Sequence, residues 1–313
     1  MNCSNRSAER ELAERASLCR DSAILFTFVK VAVLGSVFSL ATAGNALLLY
    51  VLWRKRRRKT RSQLFLLHLC LADLLVALFQ VLPQLSVEIT RRARGSELAC
   101  SRALKYVQLV GMFASTYTIV AMAVDHYYHA ACRHAVSFFT TGSCRRYTAI
   151  GAAWAMSFAF SAPQLLLVLS VQDAAGQRAH HCWATFAEPW GNKIYVTWLT
   201  LSVFVLPLLV LLFCQVKMCR GIYSNMKRKA LPSDASQART CSRAVSSAAL
   251  KTLKMTCVVT VLYTLCWSPF FVLQLWSAWS PGGAPADGAT FGIIMLLASV
   301  NSCMKPWVYL YYS

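Results

Sequence analysis

Long apolar runs in this 313-residue sequence are interrupted by five glutamines: Gln80, Gln84, Gln108, Gln164 and Gln274. Each amide carries two donors and an acceptor, and each is costly to leave unpaired in a low dielectric. Gln80 and Gln84 lie one helical turn apart, and Gln108 lies one turn after Lys105. Amides drawn from four separate runs suit a wide, polar, mostly uncharged cavity. Such a cavity fits a ligand that is itself rich in amides, which is a peptide. An amine ligand would prefer a carboxylate where Gln108 stands. The alternative use of the same amides is to join helices to one another. Met112, Phe113, Trp267, Phe270 and Phe271 are candidates for an apolar floor.

A second group is charged. Asp73 stands inside one apolar run, Asp125-His126-Tyr127 ends another, and the last run carries Lys305-Pro306 followed by Tyr309. A lone ammonium at membrane depth is costly, and Asp73 is the nearest plausible counter-ion, so an internal ion pair is expected. The alternative is that Lys305 stretches to the aqueous interface. Pro269 and Pro306 each remove a helical hydrogen bond and permit a kink. No nucleophile–base pair and no metal-ligand spacing occurs, so the pattern is not that of an enzyme, and neither a metal nor a cofactor is expected.

These residues need rigid supports, and the supports are apolar. Hydrophobic residues make up 57% of the chain, and the mean hydropathy is +0.47, which excludes an ordinary soluble domain. Seven stretches, Phe28 to Trp53, Leu64 to Val87, Ala103 to Tyr128, Tyr147 to Ser170, Ile194 to Met218, Leu253 to Trp276 and Thr290 to Tyr312, each suffice to cross ~30 Å of hydrocarbon at ~1.5 Å per residue. Lipid offers backbone groups no partners, so the stretches are helices. The fold class expected is an all-α membrane protein, a seven-transmembrane helix bundle. Residues 1–27 are expected to form an extracellular segment and 28–313 the membrane domain.

Only 14% of residues are charged, yet the net charge is +20. The basic residues crowd into Arg54 to Arg61 and into the segment between the fifth and sixth stretches, which argues for cytosolic loops rather than nucleic-acid binding. The N-terminus is then outside, where Asn2 and Asn5 fit N-x-S glycan acceptors. Cys100 and Cys182 fall at outer loops and are expected to form a disulfide; a Cys3–Cys19 pair is left open. Cys70, Cys214, Cys257, Cys266 and Cys303 read as packing thiols.

The ordered set Asn45, Asp73, Asp125-His126-Tyr127, Trp154, Pro207, Cys266-Trp267-Ser268-Pro269 and Lys305-Pro306-x-x-Tyr309 resembles the rhodopsin-like (class A) G-protein-coupled receptors. FQVLPQL, LKYVQLVGMFASTY, CWATFAEPWGNKIYVTW, CWSPFFVLQLWSAW and LLASVNSCMKPWVY are similar to the vasopressin, vasotocin and oxytocin receptor family. CWATFAEPWG and GGAPADGATF look most like its renal-type, cAMP-linked members. The resemblance implies a cell-surface receptor in the plasma membrane. It implies a cyclic nonapeptide over Gln80, Gln84, Lys105, Gln108, Gln164 and Gln274, with Glu88 or Glu97 meeting the hormone's basic residue. A stimulatory heterotrimeric G protein and membrane lipids are the other implied partners, and homo- or hetero-dimerisation is left open.

The sequence departs from that family in four places. The family has an arginine where His126 stands and an asparagine where Lys305 stands. The segment after Asp125 is one residue longer, and Cys100 lies one residue further from Lys105. The sequence also stops four residues after Tyr309, short of the family's amphipathic helix and tail. These departures support a rival expectation: a receptor-like protein that binds peptide or dimerises but couples poorly. A retinal pigment is disfavoured, because Ser299 stands where its lysine would be.

Overall fold

A computed structural model describes residues 3–54, 61–90, 102–131, 142–175, 190–229, 236–280 and 288–312. Among the described residues the chain forms seven long helical rods. They are α1 (Cys3–Arg54), α2 (Arg61–Val76, continued by a π-helical turn Ala77–Val81 and by Leu82–Ile89) and α3 (Arg102–Ala131). Then follow α4 (Gly142–Ala175), α5 (Trp190–Leu199, a π-helical turn Thr200–Val205, and Leu206–Lys229), α6 (Ser236–Trp279) and α7 (Gly288–Tyr312). Five described segments, Ile24–Arg54, Ser62–Ile89, Ala103–Tyr128, Trp190–Ser224 and Leu250–Trp279, are long and apolar enough to span a membrane. α4 and α7 coincide with the other two apolar stretches.

α1 begins at Cys3 and runs without a break into the first apolar stretch, so residues 3–27 are helical. Its opening turns are rich in Ala, Leu, Glu and Arg, all strong helix formers.

α3 is the axis of the bundle, packing against α2, α4 and α5, while α7 packs against α1 and α6. Towards the basic end, Phe65, Leu69, Met122, Leu211, Val259 and Tyr309 form a buried apolar cluster. Further out, Phe113, Val203, Tyr263, Trp267 and Phe271 form a second, mainly aromatic one. Large side chains such as Leu25, Phe28, Leu209 and Leu265 point outward, as lipid-facing positions should.

Two close approaches require glycine. A Cβ on Gly44 would lie 2.9 Å from Pro306 Cγ and 3.1 Å from Trp307 Nε1. A Cβ on Gly111 would lie 3.2 Å from Leu75 Cβ. Gly44→Val therefore forces α1 and α7 apart and is expected to cost about 1–3 kcal/mol. A melting temperature equal to the parent's would show that the contact yields freely.

The prolines leave carbonyls that the backbone cannot satisfy, and side chains take them. Pro207 has no N–H for the carbonyl four residues back, Val203, nor for that of Ser202 in the π-helical register. The Tyr263 hydroxyl of α6 donates to the Val203 carbonyl. The Tyr117 hydroxyl of α3 donates to the Ser202 carbonyl at 2.9 Å. In the same way Pro306 frees the Ser302 carbonyl, and Asn45 Nδ2 of α1 lies 3.4 Å from it while also donating to Ala41 O at 2.9 Å.

Candidate functional site

The last run turns its lysine inward. Lys305 Nζ lies 3.0 Å from Asp73 Oδ1, and the two side chains are 3% and 0% exposed. Ser115 of α3 completes the cluster: its hydroxyl donates to Asp73 Oδ1 at 2.7 Å and accepts from Lys305 Nζ. Three helices, α2, α3 and α7, are thus tied at one buried point. Coulomb attraction is strong at this depth, and it is needed, because either charge alone would be costly to bury. Lys305 does not reach to the interface; Asp73 is the partner close enough to compensate it.

Above this cluster lies a cavity of about 10 Å³, roughly the space of one water. Gln80, Met112, Ser115, Trp267, Asn301 and Ser302 line it. Gln80, Met112 and Trp267, three of the candidate ligand residues, therefore share one site. Phe270 and Phe271 pack beside Trp267: their rings lie 5.9 Å and 5.5 Å from it, and Phe271 stacks 5.6 Å from Phe204 of α5. Gln84, Lys105, Gln108 and Gln274 are each half-buried on α2, α3 and α6. Gln164 accepts a hydrogen bond from Tyr195 of α5, so this amide has a partner on a neighbouring helix. Glu88, a candidate for the hormone's basic residue, is taken by Lys30 of α1 at 3.6 Å, because α1 and the outer part of α2 pack side by side.

The Asp125-His126-Tyr127 triplet is spread over three partners. Asp125, 3% exposed, receives Arg145 Nη2 from α4 at 3.1 Å. His126 Nε2 lies 3.1 Å from Ser62 Oγ of α2. The Tyr127 ring packs edge-on against Phe213 of α5 at 6.0 Å. Pro306 and Tyr309 are buried in α7.

Three contributors are absent from the sequence reading. Ser115 shares a helical face with Gln108 and Met112, at spacings of seven and three, and that spacing was a usable signal. Gln215 interrupts an apolar run of α5 and donates to Thr256 O at 3.1 Å and Thr260 Oγ1 at 2.6 Å, joining α5 to α6. Its cost in a span was the signal. Arg145 reads as an ordinary loop-end charge, and nothing local marks it as the partner of Asp125.

Asn2, Glu97, Cys100 and Cys182 lie outside the described residues. Asn5 lies within α1.

A family model described as "7 transmembrane receptor (rhodopsin family)" matches residues 44–309. The chain is 42% identical over 321 residues to the vasopressin V2 receptor of Homo sapiens, covering 99% of this chain and 83% of that one. It is 40% identical over 311 residues to the human vasopressin V1b receptor, covering 90% and 72%. It is 40% identical over 297 residues to the isotocin receptor of Catostomus commersonii, covering 91% and 74%. A bundle of this architecture, matched along nearly its whole length, belongs to the rhodopsin family of seven-transmembrane receptors, in the branch of the vasopressin and isotocin receptors.

Proposed function

We propose that the chain is a plasma-membrane receptor for a vasopressin- or vasotocin-like cyclic nonapeptide, with its N-terminus outside, acting through a stimulatory heterotrimeric G protein. The observation that carries this reading is the convergence of Gln80, Met112 and Trp267 from three helices on one small void, with Phe270 and Phe271 packed beside Trp267. Lys105 and Gln108 lie further along α3 towards the end where a peptide would enter. The amides offer a peptide backbone donors and acceptors, and the aromatic residues accept its ring. Gln84, Gln164 and Gln274 complete the proposed wall. The Cys100–Cys182 disulfide and glycans on Asn2 and Asn5 belong to the same reading.

The test is competition binding of cyclic nonapeptides to cells expressing the chain, with surface level controlled. Gln80→Leu and Gln108→Leu are each expected to weaken binding about tenfold, the loss of one well-placed hydrogen bond. Absence of displaceable nonapeptide binding to chain present at the surface would sink the assignment.

A second reading concerns the output. The buried Lys305–Asp73 pair joins α7 to α2, and His126 cannot offer a guanidinium fork. Both favour a receptor that binds peptide and couples weakly. Peptide-evoked cAMP separates the two: H126R/K305N raises it strongly if coupling is weak, and leaves it unchanged if the parent already signals fully.

A further inference from the structure

A second cavity lies on the bundle's outer wall, away from the proposed peptide site. It is a groove of about 520 Å³ between α3, α4 and α5. Ala149, Ala152 and Ala153 of α4 leave it open on one side, and Pro207 and Val210 of α5 form the other. It faces outward: Ala152 is exposed, and Leu206, Val210 and Tyr128 are 57%, 37% and 42% exposed. Its α3 wall runs from Tyr117 to Tyr128, eleven positions or ~16 Å at ~1.5 Å per residue. That is about half of a ~30 Å hydrocarbon core, the depth of one leaflet.

Polarity along the groove is one-sided. The Tyr117 hydroxyl at the deep end is taken by the Ser202 carbonyl. The charged groups, Asp125 and Arg145, stand at the other end, the basic end of the bundle. Arg145 is 30% exposed there and donates Nη2 to Asp125 Oδ1. Its guanidinium also lies 5.7 Å from the Tyr128 ring at the groove's rim. An apolar slot one leaflet deep, with a part-exposed guanidinium at its mouth, matches an acyl chain that ends in a phosphate.

We propose that this groove is a phospholipid site, with one acyl chain between α4 and α5 and the lipid phosphate on Arg145. A guanidinium suits phosphate because its planar fork presents several donors at once. The lipid belongs to the leaflet at the basic end, which is the cytosolic one in the orientation proposed above. The site does not depend on which hormone binds. It fills the gap beside the Asp125–Arg145 pair and so supports the α3–α4 contact from outside.

Native mass spectrometry of the purified full chain tests it, with phosphatidylglycerol, a diacylglycerol of the same chains, and cholesterol offered separately. Phosphatidylglycerol is expected to stay bound and the diacylglycerol, which lacks the phosphate, to be lost. Ala152→Trp fills the groove and removes the retained phospholipid. Ala155→Trp, at an exposed α4 position outside the groove, keeps it. Arg145→Lys preserves the charge beside Asp125 but removes the forked donor, and lowers retention about tenfold. Equal retention in the two tryptophan variants would overturn the proposal. So would equal retention of the diacylglycerol, retention of cholesterol alone, or an Ala152→Trp effect confined to a dimer peak, which would mean that a second copy covers the groove.

Discussion

Lys305→Met is expected to destabilise the receptor by about 3–5 kcal/mol, because it leaves the carboxylate of Asp73 buried without its cation. Asp73 is 0% exposed, so bulk water cannot replace the lost ammonium, and the one-water void beside the cluster supplies no charge. Ser115 then keeps its single hydrogen bond to the carboxylate, which does not balance a charge. The expected fall in melting temperature of the purified protein is about 5–15 °C. Removing both charges is expected to behave differently. Asp73→Leu combined with Lys305→Met replaces a buried pair by apolar groups, a change that is often neutral or stabilising. The double variant should therefore regain most of what the single variant loses. If Lys305→Met melts with the parent, the pair contributes nothing and the ammonium must be satisfied elsewhere.

The second large effect concerns α5. Tyr117→Phe combined with Tyr263→Phe strips both hydroxyls from the carbonyls that Pro207 leaves open. Each orphaned carbonyl costs about 1–3 kcal/mol, so the pair is expected to cost about 2–6 kcal/mol. Pro207→Ala supplies a backbone N–H to the same turn. In that background the two phenylalanines should cost markedly less, and thermal melts of the four combinations measure the difference as a coupling energy. An equal cost with proline or alanine at 207 would mean that the tyrosines do not act through those carbonyls. Tyr263 also sits in the aromatic cluster with Trp267, so the ring must be retained and only the hydroxyl removed.

Much of the candidate site was open to reading without coordinates, for a simple reason. In a membrane span a polar side chain is an exception that has to be satisfied, so its mere presence marks it. Asp73, Lys305 and the glutamines stand out in this way against their apolar neighbours. The signs of the charges pointed to Lys305 pairing with Asp73, 232 positions away, but left open a lysine that stretches to the interface, and the packed helices decided between the two. Arg145 gave no such mark. Arginines near a span end are ordinary, and its partnership with Asp125 depends on how α3 and α4 lie against each other. The same holds for Glu88, which reads as free for ligand until α1 brings Lys30 beside it.

Composition and the spacing of polar residues determined the class of fold, the number of apolar stretches and the residues at which chemistry would gather. Those properties are local: a 20-residue apolar run must be a helix in lipid whatever surrounds it. Only the packed bundle decided which helix supplies each partner. Ser115 completes the buried ion pair, Arg145 covers Asp125, and two tyrosines cap the carbonyls that one proline releases. Such pairings depend on rotation and depth of one helix against another. Those are set by the summed contacts of whole helix faces, as at Gly44 against Pro306, and no short stretch of chain contains them.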